Sequence, residues 1–198
     1  IADSTLTVGE TTAVTFTFSE PVHNFGLTDV TVDNGTITGL ATTDNVVFTA
    51  TFTPTIGLED FNNVISVGAG YEDISGNTGS AASSTNYVID TLAPTVAIAV
   101  TDTTLIAGET TPVTFTFSEQ VSNFDISDIS VDNGAISGLS TADNIKWTAT
   151  FTPSADVEDV TNTISVGSAY LDQRGNTGSP GVSVNYIVST GVDDGPAV

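Results

Sequence analysis

Apolar and polar residues alternate along almost the whole chain. Between Thr12 and Ser19, Val14, Phe16 and Phe18 fall on one side and Thr15 and Thr17 on the other. Between Val46 and Thr53, Phe48, Ala50 and Phe52 alternate with Val47, Thr49 and Thr51. A period of two marks half-buried strands, and a helical period is nowhere evident. Thr-rich outer faces beside β-branched neighbours suit strands with one wet face. The pattern predicts an all-β chain.

The same pattern occurs twice. Gly9-Glu10-Thr11-Thr12 returns as Gly108-Glu109-Thr110-Thr111, an offset of 99 residues that then holds without a gap. Val14–Glu20 matches Val113–Glu119, Asp33-Asn34-Gly35 matches Asp132-Asn133-Gly134, and Gly76–Ser80 matches Gly175–Ser179. From Gly9 to Asp90 about 48 of 82 aligned pairs are identical, which marks a duplicated module in an array. A period near 99 is too long for a solenoid unit, so each repeat is expected to be a domain. Residues 1–90 form repeat 1 and residues 91–198 form repeat 2 with a C-terminal linker. Ile1 aligns with Val100, so repeat 1 is expected to lack the first half of its first strand, and the chain reads as an excised piece.

Repeat 2 carries the full strand order. Strands are expected at about 95–100, continuing at 103–107, then 111–118, 126–131, 135–139, 145–152, 162–167 and 183–188. Trp147 stands where repeat 1 has Phe48, as suits a core aromatic. Asn133-Gly134 is a two-residue hairpin signal. It would join 126–131 to 135–139 in one sheet, as in fibronectin type III domains. About seven short strands in roughly 100 residues is the immunoglobulin-like pattern. The expected fold is therefore two tandem immunoglobulin-like (fibronectin III-like) β-sandwich domains, end to end.

Charge changes the picture. The 198 residues contain 24 acidic and 2 basic side chains, a formal net charge of −22. Nucleic acid is excluded as a partner, because phosphate binding needs cations. An anionic membrane surface is excluded for the same reason. No apolar run approaches the ~18 residues that span a bilayer, and no signal-peptide pattern opens the chain. There is no Cys, so stability rests on packing, with metal as the remaining cross-link open to the chain. With two basic residues, the carboxylates either stand apart in water or share metal cations.

Strand order fixes which acids share an end of a domain. Glu59 and Asp60, in the loop after the 46–53 strand, belong to the trailing end of repeat 1. Asp90 lies in the linker. Glu119, in the loop after 111–118, and Asp172 with Asn176, in the loop before 183–188, belong to the leading end of repeat 2. Ca²⁺ takes ~6–8 oxygen ligands from carboxylates, amides, carbonyls and water. These residues could supply them at the seam, with Gly175 permitting a sharp turn. The Asp-x-x-Gly-Asn segment is equally a good β-turn with no metal. The acidity could also serve solubility or saline surroundings. For Asp33-Asn34-Gly35 and its twin, turn chemistry is the expectation. Asp44-Asn45 and Asp143-Asn144 are expected to cap a turn, and Asp29 and Asp128 to point outward from strands.

Chemistry for catalysis is missing. His23, Lys146 and Arg174 align with Ser122, Val47 and Ser75, so none belongs to the repeated design. There is no Cys nucleophile, phosphate loop or zinc spacing. Paired carboxylates could do acid–base work, but the aromatics are placed as core residues, leaving no sugar-stacking cleft. No enzyme activity is expected.

The string Val-Thr-Phe-Thr-Phe-Ser-Glu, then Thr-Ala-Thr-Phe-Thr-Pro, Asp-x-x-Gly-Asn and the linker Val88-Ile89-Asp90-Thr91-Leu92-Ala93-Pro94 resembles bacterial Ig-like repeats of giant adhesins. These include RTX-type and biofilm-associated surface proteins. The resemblance implies a secreted stalk on the bacterial cell surface, monomeric, whose partners are its neighbouring repeats. It implies Ca²⁺ at the junctions, with Asp90, Glu119 and Asp172 as ligands. Repeat 1's matching set is Glu20, Asp73 and Asn77. The second linker departs from the pattern: Ser189 stands for Asp90, and Val192-Asp193-Asp194-Gly195-Pro196 follows. A glycan- or protein-binding module and a spacer in a secreted hydrolase are the competing readings.

Overall fold

A computed structural model describes residues 1–191; the acidic segment 192–196 lies outside the described residues. The chain divides into two compact units, Ile1–Leu92 and Ala93–Val198. Among the described residues there is no α-helix, only strands and two short 3₁₀ turns.

In the second unit one sheet runs in the order Val96–Val100, Thr111–Phe117, Lys146–Pro153, Gly134–Thr141. All its neighbours are antiparallel. The other layer pairs Ile129–Val131 with Ile164–Val166, and that strand with Gly181–Val182. It continues through Glu158–Asn162 and Tyr186–Ser189 to Thr104–Ile106, which joins in parallel. Alternation puts Val113, Phe115 and Phe117 inside, with Ala149 and Phe151 from the next strand. The opposite layer contributes Ile164, Val166, Tyr170, Tyr186 and Val188 to the same core. Each large apolar side chain so buried stabilises the fold by about 1.5–3 kcal/mol.

The turn at Asn133-Gly134 corrects the expected strand partner. It does not join two strands of one sheet. Ile129–Val131 pairs with Ile164–Val166, whereas Gly134–Thr141 pairs with Lys146–Pro153 in the other layer. The turn is a crossover, and the fourth strand sits beside Lys146–Pro153 as in immunoglobulin constant-type sandwiches. The cause is local. Asn133 has φ +50°. Its Nδ2 donates to Asp159 Oδ2 (2.9 Å) and Asn162 Oδ1 (2.7 Å), pinning the corner to the opposite layer. A Cβ on Gly134 would lie 2.3 Å from the Phe151 ring, so only glycine lets the chain pass there.

Two further expectations shift. Asp29 and Asp128 end 3₁₀ turns rather than pointing out of strands; their carboxylates accept from Gly26 N and Asp125 N, each at 2.9 Å. Glu59 and Asp60 lie on the strand Glu59–Asn63, paired with Tyr87–Asp90, not in a loop. Asp44 and Asp143 do close turns: each Oδ1 accepts from the two backbone amides that follow Asn45 or Asn144.

The first unit repeats this plan around Phe16, Phe48, Phe52, Tyr87 and Ile89. Its first sheet has three strands, Thr12–Thr17, Val47–Pro54 and Gly35–Thr42. Among the described residues nothing there corresponds to Val96–Val100.

Candidate functional site

In the second unit the residues Leu171–Asp172 form a short ladder with Val121–Ser122, with Val121 opposite Asp172. Glu119 lies two residues before Val121. This pairing sets the two acidic loops side by side, and a Glu119 carboxylate oxygen lies within 4.8 Å of one from Asp172. Tyr170 anchors the loop from below. Its ring packs edge-on against Phe117 (4.9 Å between centroids) and Phe124 (6.2 Å). Its hydroxyl reaches the carbonyls of Ser179 (2.5 Å) and Pro94 (3.1 Å).

Asp172 is 2% exposed, as is Asn176. Its Oδ1 accepts from the backbone amides of Arg174 (2.7 Å) and Asn176 (2.9 Å), and its Oδ2 from Asn176 Nδ2 (2.7 Å). A carboxylate offers about four lone-pair sites. Three are taken, and the remaining one is on Oδ2. Gly175, at φ +90°, makes the reversal that lets Asn176 return to Asp172. The loop is therefore a well-bonded turn that still presents an anionic oxygen beside a second carboxylate.

Repeat 1 builds the same turn. Asp73 Oδ1 accepts from Ser75 N and Asn77 N, and Oδ2 from Asn77 Nδ2. The Asn77 side-chain amide, followed by its backbone amide, holds the Asp73 carboxyl below the usual 3.8. Here, however, Asp73 is only half-buried, and Asn77 and Glu20 are exposed.

At the trailing end of the first unit, Asp90 is buried on Tyr87–Asp90 with Glu59 directly across the ladder. Thr91 then fastens the strand, its hydroxyl donating to the Thr55 carbonyl at 2.7 Å. Asp60 has a different neighbourhood. Its Oδ2 accepts from Asn34 Nδ2 (2.8 Å) and its Oδ1 from Asn62 N (2.8 Å), so it braces the crossover corner as Asp159 does in the second unit.

Sequence reasoning had not singled out Tyr170 or the Val121–Ser122 ladder as what positions the loop. The signal was present: Tyr71 and Tyr170 recur two residues before each repeated Asp.

No curated protein matches the chain. Among solved structures, the Escherichia coli adhesin FdeC aligns at 16% identity and a TM-score of 0.40 over 95% of this chain and 61% of its own. InvD of Yersinia pseudotuberculosis aligns at 16% identity and 0.33 over 100% of this chain and 57% of its own. The chain thus spans about three fifths of the length of either. The family described as bacterial Ig-like domain matches residues 1–89 and again residues 90–188, so the chain is a tandem pair of domains of that family.

Proposed function

We propose that these two domains are spacer elements of a bacterial cell-surface adhesin, made rigid by Ca²⁺ held by Asp90, Glu119 and Asp172. The observation that carries the reading is the closeness of the Glu119 and Asp172 carboxylates in the second domain, with Asp172 buried. Two acids at that separation repel one another, and a cation between them relieves the repulsion. The chain has only 2 basic residues against 24 acidic ones. A divalent metal is the ready counter-charge.

Asp90 enters the proposal from its place in the linker sequence. It stands four residues before Pro94, whose carbonyl is held by Ser179 N and the Tyr170 hydroxyl. Four residues reach at most about 14 Å. The Asn176 amide, the Glu59 carboxylate, backbone carbonyls and water would complete the ~6–8 oxygens that Ca²⁺ takes. Glu20, Asp73 and Asn77 form the equivalent set in repeat 1, where exposure weakens the hold on an ion. Extracellular modules bind Ca²⁺ at roughly 10⁻⁴–10⁻³ M, which suits a protein working outside the cell. No helix among the described residues is long and apolar enough to cross a membrane. Near-duplicate domains without a differentiated reactive group serve length and stiffness better than catalysis.

Small-angle scattering and thermal melting test this. With millimolar Ca²⁺ the particle is expected to be longer and straighter, and to melt higher, than with chelator. Identical profiles and melting temperatures in the two conditions would remove the Ca²⁺ part of the proposal.

A further inference from the structure

Asn-Gly occurs at two places in the sequence, Asn34-Gly35 and Asn133-Gly134, and each sits at a crossover corner. Asn before Gly is the pair most open to self-modification, because no Cβ shields the glycine's backbone nitrogen. The asparagines held at positive φ elsewhere, Asn24, Asn45, Asn123 and Asn144, precede Phe, Val, Phe and Ile, whose side chains crowd that approach. The reaction needs only water. The Gly nitrogen bonds to the Asn side-chain carbon Cγ, the Cγ–Nδ2 bond breaks, and ammonia leaves with the nitrogen's proton. Water then opens the cyclic imide at either carbonyl. One product is Asp. The other is isoaspartate, whose main chain runs through the side-chain carbon and is longer by one atom.

The fold opposes this reaction. Both hydrogens of the Asn34 amide are donated, to Asp60 Oδ2 and Asn63 Oδ1 at 2.8 Å each. Asn133 does the same with Asp159 and Asn162. The backbone is held as well: the Asn34 carbonyl accepts from Thr55 N (2.9 Å), and the Asn133 carbonyl from Ser154 N (2.8 Å). Turning Cγ toward the Gly nitrogen would break these bonds, in a corner where Gly35 and Gly134 lack room even for a Cβ.

The same contacts reject the product. An aspartate at 34 or 133 has no amide hydrogens and sets an anionic oxygen against the Asp60 or Asp159 carboxylate. The second partner cannot reverse its own amide to compensate. Asn63 Nδ2 already donates to the Asp60 and Tyr87 carbonyls (2.9 and 3.1 Å), and Asn162 Nδ2 to those of Asp159 and Tyr186 (3.0 and 3.1 Å). Isoaspartate inserts a main-chain carbon beside a glycine where one added carbon would lie 2.3 Å from the Phe52 or Phe151 ring.

We propose that Asn34 and Asn133 are deamidation sites closed by folding, so that a domain held open is marked covalently and does not close again. The device is independent of any bound ion.

The whole chain is incubated in mildly alkaline buffer, with and without urea, and amide-to-acid conversion is read residue by residue by peptide mass spectrometry. In urea, conversion is expected to concentrate at Asn34 and Asn133. Without urea it should be slower there by about a hundred-fold or more, because the reaction must pass through the small open population. Equal rates in the two buffers overturn the shielding, and conversion at the same rate in other asparagines overturns the choice of sites. Urea is then removed and amide exchange is read in each domain. Converted domains are expected to exchange about ten-fold or more faster than the parent. Chains kept in urea for the same time in mildly acidic buffer, where conversion is slow, should regain the parent's protection. Converted domains that regain it too overturn the marking. Asn133→Asp supplies the aspartate product directly: the second domain should unfold at lower urea while the first keeps the parent's midpoint. Parent-like midpoints in both domains overturn the rejection of the product.

Discussion

The Ser189 hydroxyl donates to the Glu158 carboxylate at 2.9 Å. The corresponding ladder position in the first domain sets Asp90 opposite Glu59, acid against acid. The two trailing ends are built on one plan and differ in charge at one ladder position, Ser189 in the second domain and Asp90 in the first. Gly191 N adds a second donor to Glu158 at 2.8 Å, where the first domain has Leu92. One end satisfies its carboxylate from within the domain. The other sets two acidic residues at the paired ladder positions.

Replacing Asp90 by Ser should therefore act with opposite signs in two solutions. Like charges across a ladder cost roughly 0.2–1 kcal/mol. In chelator, Asp90→Ser is expected to raise the melting temperature of the first domain slightly, because Ser can donate to Glu59 as Ser189 does to Glu158. In millimolar Ca²⁺ the same variant should lose the metal-dependent increment and melt below the parent. Calorimetry in both buffers reads this. A variant that is destabilised equally in both would show that Asp90 serves packing alone.

The crossover corner offers a test of the corrected topology. A Cβ at Gly35 would lie 2.3 Å from the Phe52 ring and 2.7 Å from the Thr53 carbonyl. The backbone oxygen cannot move aside as a flexible side chain could. Gly35→Ala and Gly134→Ala are each expected to cost about 1–3 kcal/mol, as overpacked sites do. Urea unfolding midpoints near the parent's would contradict the close approach.

That corner also marks where the sequence stopped being readable. The inward residues followed from alternation: Val14, Phe16, Phe48 and Phe52 are buried and Thr15, Thr49 and Thr51 are not. The strands Thr111–Phe117 and Lys146–Pro153 fell where period two put them, whereas 126–128 is a 3₁₀ turn and Glu158–Asn162, expected as loop, is a strand. The partner of Gly134–Thr141 was not legible, because Asn-Gly meets the demand for positive φ equally in a hairpin and in a crossover. What decides between them is the grip of Asn133 on Asp159 and Asn162, a contact 26 to 29 residues away. Strand order put Glu119 and Asp172 at the same end of the second domain, but the short Val121–Ser122/Leu171–Asp172 ladder that sets them side by side was not legible. Nor was the degree of burial: Asp73 and Asp172 share the Tyr-x-Asp-x-x-Gly-Asn frame and differ in exposure.

Alkaline solution should destabilise both domains through their last-strand tyrosines. The Tyr87 hydroxyl donates to the Asp33 carbonyl at 2.5 Å, and Tyr186 does the same to Asp132. Burial, reinforced by the Asp33 charge, pushes Tyr87 up to about 12, and Tyr186 rises likewise beside Asp132. The folded state thus holds its phenolic protons more tightly than the unfolded chain, whose tyrosines titrate near 10. This contribution is complete below pH 10 and is lost as pH climbs from 10 toward 12. Melting temperature should fall steeply across that window. Tyr87→Phe should lower the first domain's stability at pH 8 by about 1–3 kcal/mol for the orphaned Asp33 carbonyl. The same variant should flatten the first domain's alkaline decline. An unchanged pH slope would place the linkage elsewhere.

The sharpest separation between a simple turn and a metal ligand comes from the twin loops. Asp73 and Asp172 accept the same three hydrogen bonds from the same positions. If both serve only the turn, Asp73→Asn and Asp172→Asn should weaken their domains alike, with or without Ca²⁺. If Asp172 also holds the ion, its variant should lower Ca²⁺ affinity about ten-fold or more while Asp73→Asn leaves it near the parent value. Asn keeps the shape and one acceptor oxygen, so the contrast isolates the negative charge. Isothermal titration with Ca²⁺ on the intact two-domain chain reads it directly. Equal losses of affinity would move the ion to a site the two repeats share, and no loss in either would leave Asp172 a turn residue.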